Sequence, residues 1–167
     1  MMKRGKVIGG ILLVLLALVT GGCEGTTFSS SVPAYPVHVT INTRGEFVTF
    51  QPENYGEYVT VDKEYYCLNG KPVRPCTQMD QCGYGGVVVF VSMNGYDAYD
   101  LACPYCAGRS YCRPCRITGS DALCDECGEE YSLGLGTATP QKGIAREALR
   151  RLEVVNTNGV LNIKQRR

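Results

Sequence analysis

Histidine is almost missing from this chain. Its 167 residues hold one, His38. Two imidazoles therefore cannot meet at a site within one copy of the chain. His38 stands on an alternating segment far upstream of the cysteines, where a surface or packed strand position is the expected role. Long apolar runs are missing too. The longest, Val7 to Thr20, "VIGGILLVLLALVT", has fourteen residues, short of the about 20 that a membrane-spanning helix needs. Beyond the first 22 residues no basic block occurs apart from the terminal "KQRR", which argues against nucleic acid as a partner. There are no internal repeats and no low-complexity segments. No nucleophile–base pair, no motif of paired carboxylates and no phosphate loop is visible, so a stand-alone enzyme is not expected. Gly83, Gly85 and Gly86 are unpatterned and are expected to mark a bulge or bend. Asp97 and Asp100, on either side of Tyr99, are expected to be solvated strand residues.

The N-terminus has the marks of export. Met1 to Lys6, "MMKRGK", is basic, and a short apolar region and small residues follow it, as in a secretory signal. The site "TGGC" places Gly21 and Gly22 directly before Cys23. This resembles the lipobox of bacterial lipoproteins, which implies lipidation at Cys23 and a membrane anchor without a spanning helix. Residues 1–22 are then the signal peptide, and 23–31, "CEGTTFSSS", a polar tether. Loss of the signal removes Lys3, Arg4 and Lys6 and no acid. That leaves 14 basic against 16 acidic residues, a formal charge of −2. The remaining 145 residues suit one domain, 32–167. A chain of that size buries about 68–70% of its unfolded surface.

From Val32 onward the chain reads as short strands and turns, an all-β antiparallel sandwich or barrel. "VHVTIN" alternates, with Val37, Val39 and Ile41 on one side. Asn69-Gly70, Asn94-Gly95 and Asn158-Gly159 are tight-turn signals. "GGVVVFVSM" and "YDAYDLA" are expected to pair across Asn94-Gly95. "LRRLEVVNT" and "VLNIK" are expected to pair across Asn158-Gly159. The second half of "REALRRLEV" is expected as strand rather than helix.

The ten cysteines carry the chemistry. Without Cys23, nine remain, an odd number that disulfides alone cannot absorb. Cys67, Cys76 and Cys82 come early. Cys103/Cys106, Cys112/Cys115 and Cys124/Cys127 are Cys-x-x-Cys pairs. Two such turns place four sulfurs around one ion. The first and third pairs are separated by seventeen residues, a spacing that fits a four-cysteine zinc site. The expected metal ligands are therefore Cys103, Cys106, Cys124 and Cys127. The middle pair, Cys112 and Cys115, stands open as additional ligands or a disulfide. Read alone, "CPYC" is a glutaredoxin-type dithiol. Such a site needs an amphipathic helix after its first cysteine to lower the thiol pKa, and "AGRSYCRPCRITGSDA" has no helical period.

Residues 83–163 also resemble a Rieske domain. "GYGGVVVFVSMNGYDAYDLACP" resembles the hairpin leading to the first cluster loop. "CDECGEEYSLGLGTATPQKGIAREALRRLEVVNTNGVLNI" resembles the second loop and the strands after it. Cys124, Gly128, Tyr131, Gly136, Gly143, Ala145, Leu149 and Val154 fall in step with the family pattern. With its N-terminal strands the chain is similar to Rieske-like lipoproteins of gut-type bacteria. The resemblance implies a small Rieske-like β domain, a 2Fe–2S cluster near the tip of two loops, and electron transfer to a partner protein at a membrane surface. By position Cys103 and Cys124 match the family's two cysteines. Tyr105 and Cys127 stand where its two histidines belong, so a histidine-ligated cluster cannot form. Cys106 and Cys127 would complete four thiolates, with Tyr105 a shielding or packing aromatic. Four thiolates suit a 2Fe–2S cluster or a zinc ion equally well by residue type. The alternative function is a non-catalytic lipoprotein module stapled by zinc or disulfides.

Overall fold

The computed structural model describes residues 30–109 and 113–166. The expected signal peptide, residues 1–22, and Cys23 and Cys112 lie outside the described residues.

Among the described residues, thirteen strands and one helical turn follow in order. The first five strands are β1 (Val37–Asn42), β2 (Tyr58–Val61), β3 (Tyr65–Leu68), β4 (Lys71–Pro75) and β5 (Gln81–Cys82). The central hairpin is β6 (Val87–Ser92) and β7 (Gly95–Asp100), and the turn α1 (Pro104–Ala107) follows it. Then come β8 (Arg116–Thr118), β9 (Asp121–Leu123), β10 (Glu130–Ser132) and β11 (Thr139–Pro140). The chain closes with β12 (Arg151–Thr157) and β13 (Val160–Gln165). The all-β expectation is met, and every strand pairing is antiparallel.

The strands form two sheets. One has nine strands in the order β4-β3-β2-β6-β7-β12-β13-β1-β5, and the other is a meander in the order β11-β10-β9-β8. Of the two expected forms the structure takes the sandwich: the nine-stranded sheet is not closed into a barrel. The Asn-Gly pairs sit at the turns β3–β4, β6–β7 and β12–β13, with Ser92 opposite Gly95 and Thr157 opposite Val160. Residues 145–150 are irregular and Arg151–Thr157 is strand, as the second half of "REALRRLEV" required.

The run "VVVFVS" explains itself through position. All six residues of β6 are buried. Val87, Val89 and Val91 face a core with Val39, Ile41, Phe47 and Phe50 inside the nine-stranded sheet. Val88 and Phe90 face a second core with Tyr99, Tyr131 and Leu133 between the sheets. A strand covered on both faces gains from being apolar at every position, so alternation disappears. In β1 one face is solvated, and the pattern is strict: Val37, Val39 and Ile41 are buried, and His38 is exposed.

The two aspartates of β7 correct the sequence reading. Neither is solvated. Asp97 is buried and takes bonds from Ser92 and Arg151. Asp100 is fully buried and accepts the N–H groups of Tyr84, Gly85 and Ala102 at 2.8–2.9 Å. The Gly83–Gly86 bend is the loop that wraps this carboxylate. A Cβ on Gly85 would meet the Ala102 nitrogen at 2.3 Å, so only glycine lets the loop lie against the chain that enters Cys103.

Candidate metal centre

Four of the expected ligands meet. The sulfurs of Cys103, Cys106, Cys124 and Cys127 all lie within 4.8 Å of one another. Across the loops, Cys103 Sγ is 3.7 Å from Cys127 Sγ, and Cys106 Sγ is 3.6 Å from Cys124 Sγ. Cys103, Cys106 and Cys124 are buried and Cys127 is half-buried.

Each pair is a tight turn presented by a different sheet. The first leaves the end of β7. Its Cys103 carbonyl accepts the N–H groups of Cys106 (3.1 Å) and Ala107 (2.9 Å), which curls the chain into α1. Pro104 at the first helical position suits this start. The second turn connects β9 to β10. There Gly128 N–H bonds to the Cys124 carbonyl at 2.8 Å with φ +73°, a conformation that favours glycine. An ion held by both turns would bridge the two layers of the sandwich.

Two buried carboxylates hold these turns in place. Asp100 fixes the entry to Cys103, as above. Glu129, two residues beyond Cys127, has no exposed surface. It accepts N–H bonds from Gln141 (3.1 Å), Lys142, Ile144 and Ala145 (each 2.7 Å). Burial raises its pKa, but the N–H groups of Ala145, Lys142 and Ile144 outweigh burial and leave it below the usual carboxylate range. Sequence reasoning missed both roles. The available signals were a carboxylate three residues before one cysteine turn and another two residues after the second, and glycine-containing loops ("GYGG", "PQKGIA") able to wrap them.

The cysteines are not electrostatically alike. Hydrogen bonding from Cys115 comes first among the causes that hold Cys103 far below an ordinary thiol, followed by the Tyr131 hydroxyl and the Cys106 N–H. The Tyr131 hydroxyl lies 3.1 Å from the sulfur. Burial pushes Cys106 and Cys127 upward. Among the described residues only one helical turn follows Cys103, so the amphipathic helix of a dithiol enzyme is absent as expected. The low-pKa thiolate nevertheless has a source, in neighbouring hydrogen-bond donors rather than a helix dipole.

The remaining sequence candidates divide. Cys115 is buried beside the four, its N–H bonded to Leu101 at 2.8 Å next to the Ala102–Pro114 bridge. It is not a member of the four-sulfur group. Tyr105 packs against the same core, and its ring and hydroxyl are covered by Arg109, the guanidinium 4.1 Å from the ring centre. His38 is far from any such cluster, on the β1 surface opposite Lys164.

No family model matches the chain, and neither a curated protein nor a solved structure matches it.

Proposed function

We propose that the chain holds one zinc ion through Cys103, Cys106, Cys124 and Cys127, and that it acts as a non-catalytic, lipid-anchored binding module. The spacing of the sulfurs carries this reading. Thiolates bound tetrahedrally about 2.3 Å from one ion stand about 3.8 Å apart. The two cross-loop distances are 3.7 and 3.6 Å, and no pair exceeds 4.8 Å. In a 2Fe–2S cluster, thiolates on different irons are separated by a second iron and two bridging sulfides, so they stand farther apart than one tetrahedral edge. Four protein ligands leave no coordination position for water or substrate, which is the pattern of a structural ion rather than a catalytic one. The ion would supply a fixed link between the β7 end of one sheet and the β9–β10 turn of the other. Anchoring through Cys23 is supported by the "TGGC" sequence after a short apolar run.

A second reading, a 2Fe–2S electron carrier of Rieske-like type, has one observation in its favour. Tyr131 and Cys115 both hydrogen-bond to the Cys103 sulfur. Hydrogen bonds to ligand sulfurs tune a cluster's reduction potential, and a purely structural ion has no need of such tuning.

Metal and acid-labile sulfide analysis of protein purified without oxygen tests the choice. The proposal expects a colourless protein with about one zinc per chain and no sulfide. A reddish protein with about two irons and two sulfides would replace it with the electron carrier.

A further inference from the structure

Cys76 and Cys82 form a second, separate thiol site. Cys76 follows β4 directly, and Cys82 ends β5. These strands are the opposite ends of the nine-stranded sheet, with no ladder between them. Residues 76–80 connect them, and side chains cross the gap between the two ends. Arg74 of β4 donates to the Thr40 carbonyl of β1 at 3.1 Å and pairs with Glu46 at 3.3 Å. At the same gap both thiols point at one atom: Cys76 and Cys82 donate to the Asp62 carbonyl oxygen at 3.2 and 2.9 Å. Both also line an open cleft with Tyr35, Pro36 and Lys63.

We propose that Cys76 and Cys82 are a disulfide-forming pair, and that their bond clasps the two open edges of the nine-stranded sheet. Two sulfurs sharing one acceptor are already brought together by the fold, and the cleft gives an oxidant access. A second metal site is not indicated, because the only group of three or more ligand side chains among the described residues is the four-cysteine centre. Cys67, the third early cysteine, is outside the pair: it sits in β3 opposite Thr60. The reaction is thiol–disulfide exchange with a disulfide-bearing oxidant. One thiolate attacks the oxidant's S–S bond, which breaks and releases a thiol. The second thiolate then displaces the other half. Two thiols are oxidised to one S–S bond, the oxidant's disulfide is reduced to two thiols, and the two cysteine protons go to those leaving thiolates.

Met79 makes the bond directly testable, because it separates the two cysteines. The full chain, metal-loaded, is treated with oxidised glutathione, remaining thiols are alkylated, and the protein is cleaved at methionine with cyanogen bromide. The fragment 80–93, whose only cysteine is Cys82, should stay attached to the fragment ending at Met79 and be released by reductant. Cys76→Ser should release it without reductant, and Cys67→Ser should leave it attached. A fragment 80–93 free in oxidised wild type overturns the proposal, as does one still attached in Cys76→Ser. The readout is covalent and independent of the bound metal, so failure of the zinc reading does not affect it.

Discussion

Cys103, just after β7 of one sheet, and Cys127, in the β9–β10 turn of the other, hold their sulfurs 3.7 Å apart. Cys106 and Cys124 repeat the relationship at 3.6 Å. The contact exists because β7 ends where the β9–β10 turn begins to cover it. Phe90, Tyr99 and Tyr131 fill the space directly behind. Apolar burial thus brings the two turns together, and the sulfurs converge at the rim of that core.

Serine at Cys103, Cys106, Cys124 or Cys127 should abolish stoichiometric metal binding. It should also lower stability, because a structural ion contributes its binding energy to folding. Cys115→Ser keeps a donor toward Cys103 and should retain the metal. Metal content after dialysis and thermal unfolding check both statements. Metal loss from Cys115→Ser equal to that from Cys103→Ser would show that the ligand set is wrong.

Tyr131→Phe removes a hydrogen bond to a ligand sulfur and little volume. Partners of metal ligands are typically worth 10–100-fold in affinity. A competition titration with a chelator should therefore show metal binding weaker by about 10–100-fold, with the fold retained by circular dichroism. Unchanged affinity would remove Tyr131 from the centre.

Glu129→Ala leaves the buried Ala145 N–H and the part-buried N–H groups of Gln141, Lys142 and Ile144 without their acceptor. Each buried donor left unsatisfied costs about 1–3 kcal/mol, so the total should reach several kcal/mol in urea unfolding. Asp100→Ala should act similarly through Tyr84, Gly85 and Ala102. Losses under about 1 kcal/mol, the scale of an ordinary substitution, would contradict the anchoring role of these carboxylates.

Acid should weaken the connection between β4 and β5, which holds Asp80. Burial raises the Asp80 pKa, but the Tyr66 hydroxyl, the Thr77 donors and Arg74 outweigh it, and the pKa is lowered. A depressed carboxylate contributes stability that is fully present above its unfolded value of about 3.9 and is lost as pH falls through its folded value. Asp80→Asn should therefore be less stable than wild type at neutral pH. The difference should shrink below about pH 4. A difference independent of pH across that range would contradict the ionised role.

Cys23→Ser tests the anchor. The expected result is an unprocessed precursor that takes up no acyl label. Normal cleavage and normal membrane retention of that variant would defeat the lipoprotein reading.

Much of this was legible because the local signals are strong. Asn-Gly marked three hairpin turns, and the β1 alternation put Val37, Val39 and Ile41 on one, buried, side. The two outer Cys-x-x-Cys pairs named the four sulfurs that meet, because a short turn between two cysteines aims both one way. What stayed hidden depends on contacts distant in sequence. Asp97 and Asp100 look like ordinary polar strand positions until the second sheet and the Gly83–Gly86 loop cover them. Glu129 looks solvated beside Glu130 until residues 141–145 fold over it. Cys76 and Cys82 are six positions apart, but spacing alone does not show that both thiols turn to the Asp62 carbonyl, fourteen and twenty positions upstream.

The most direct test of the central claim is X-ray absorption at the metal edge of the protein as purified without oxygen. The account predicts a zinc edge, with a single shell of four sulfurs at about 2.3 Å and no metal–metal scattering. An iron edge with a metal–metal vector and bridging sulfide would contradict it.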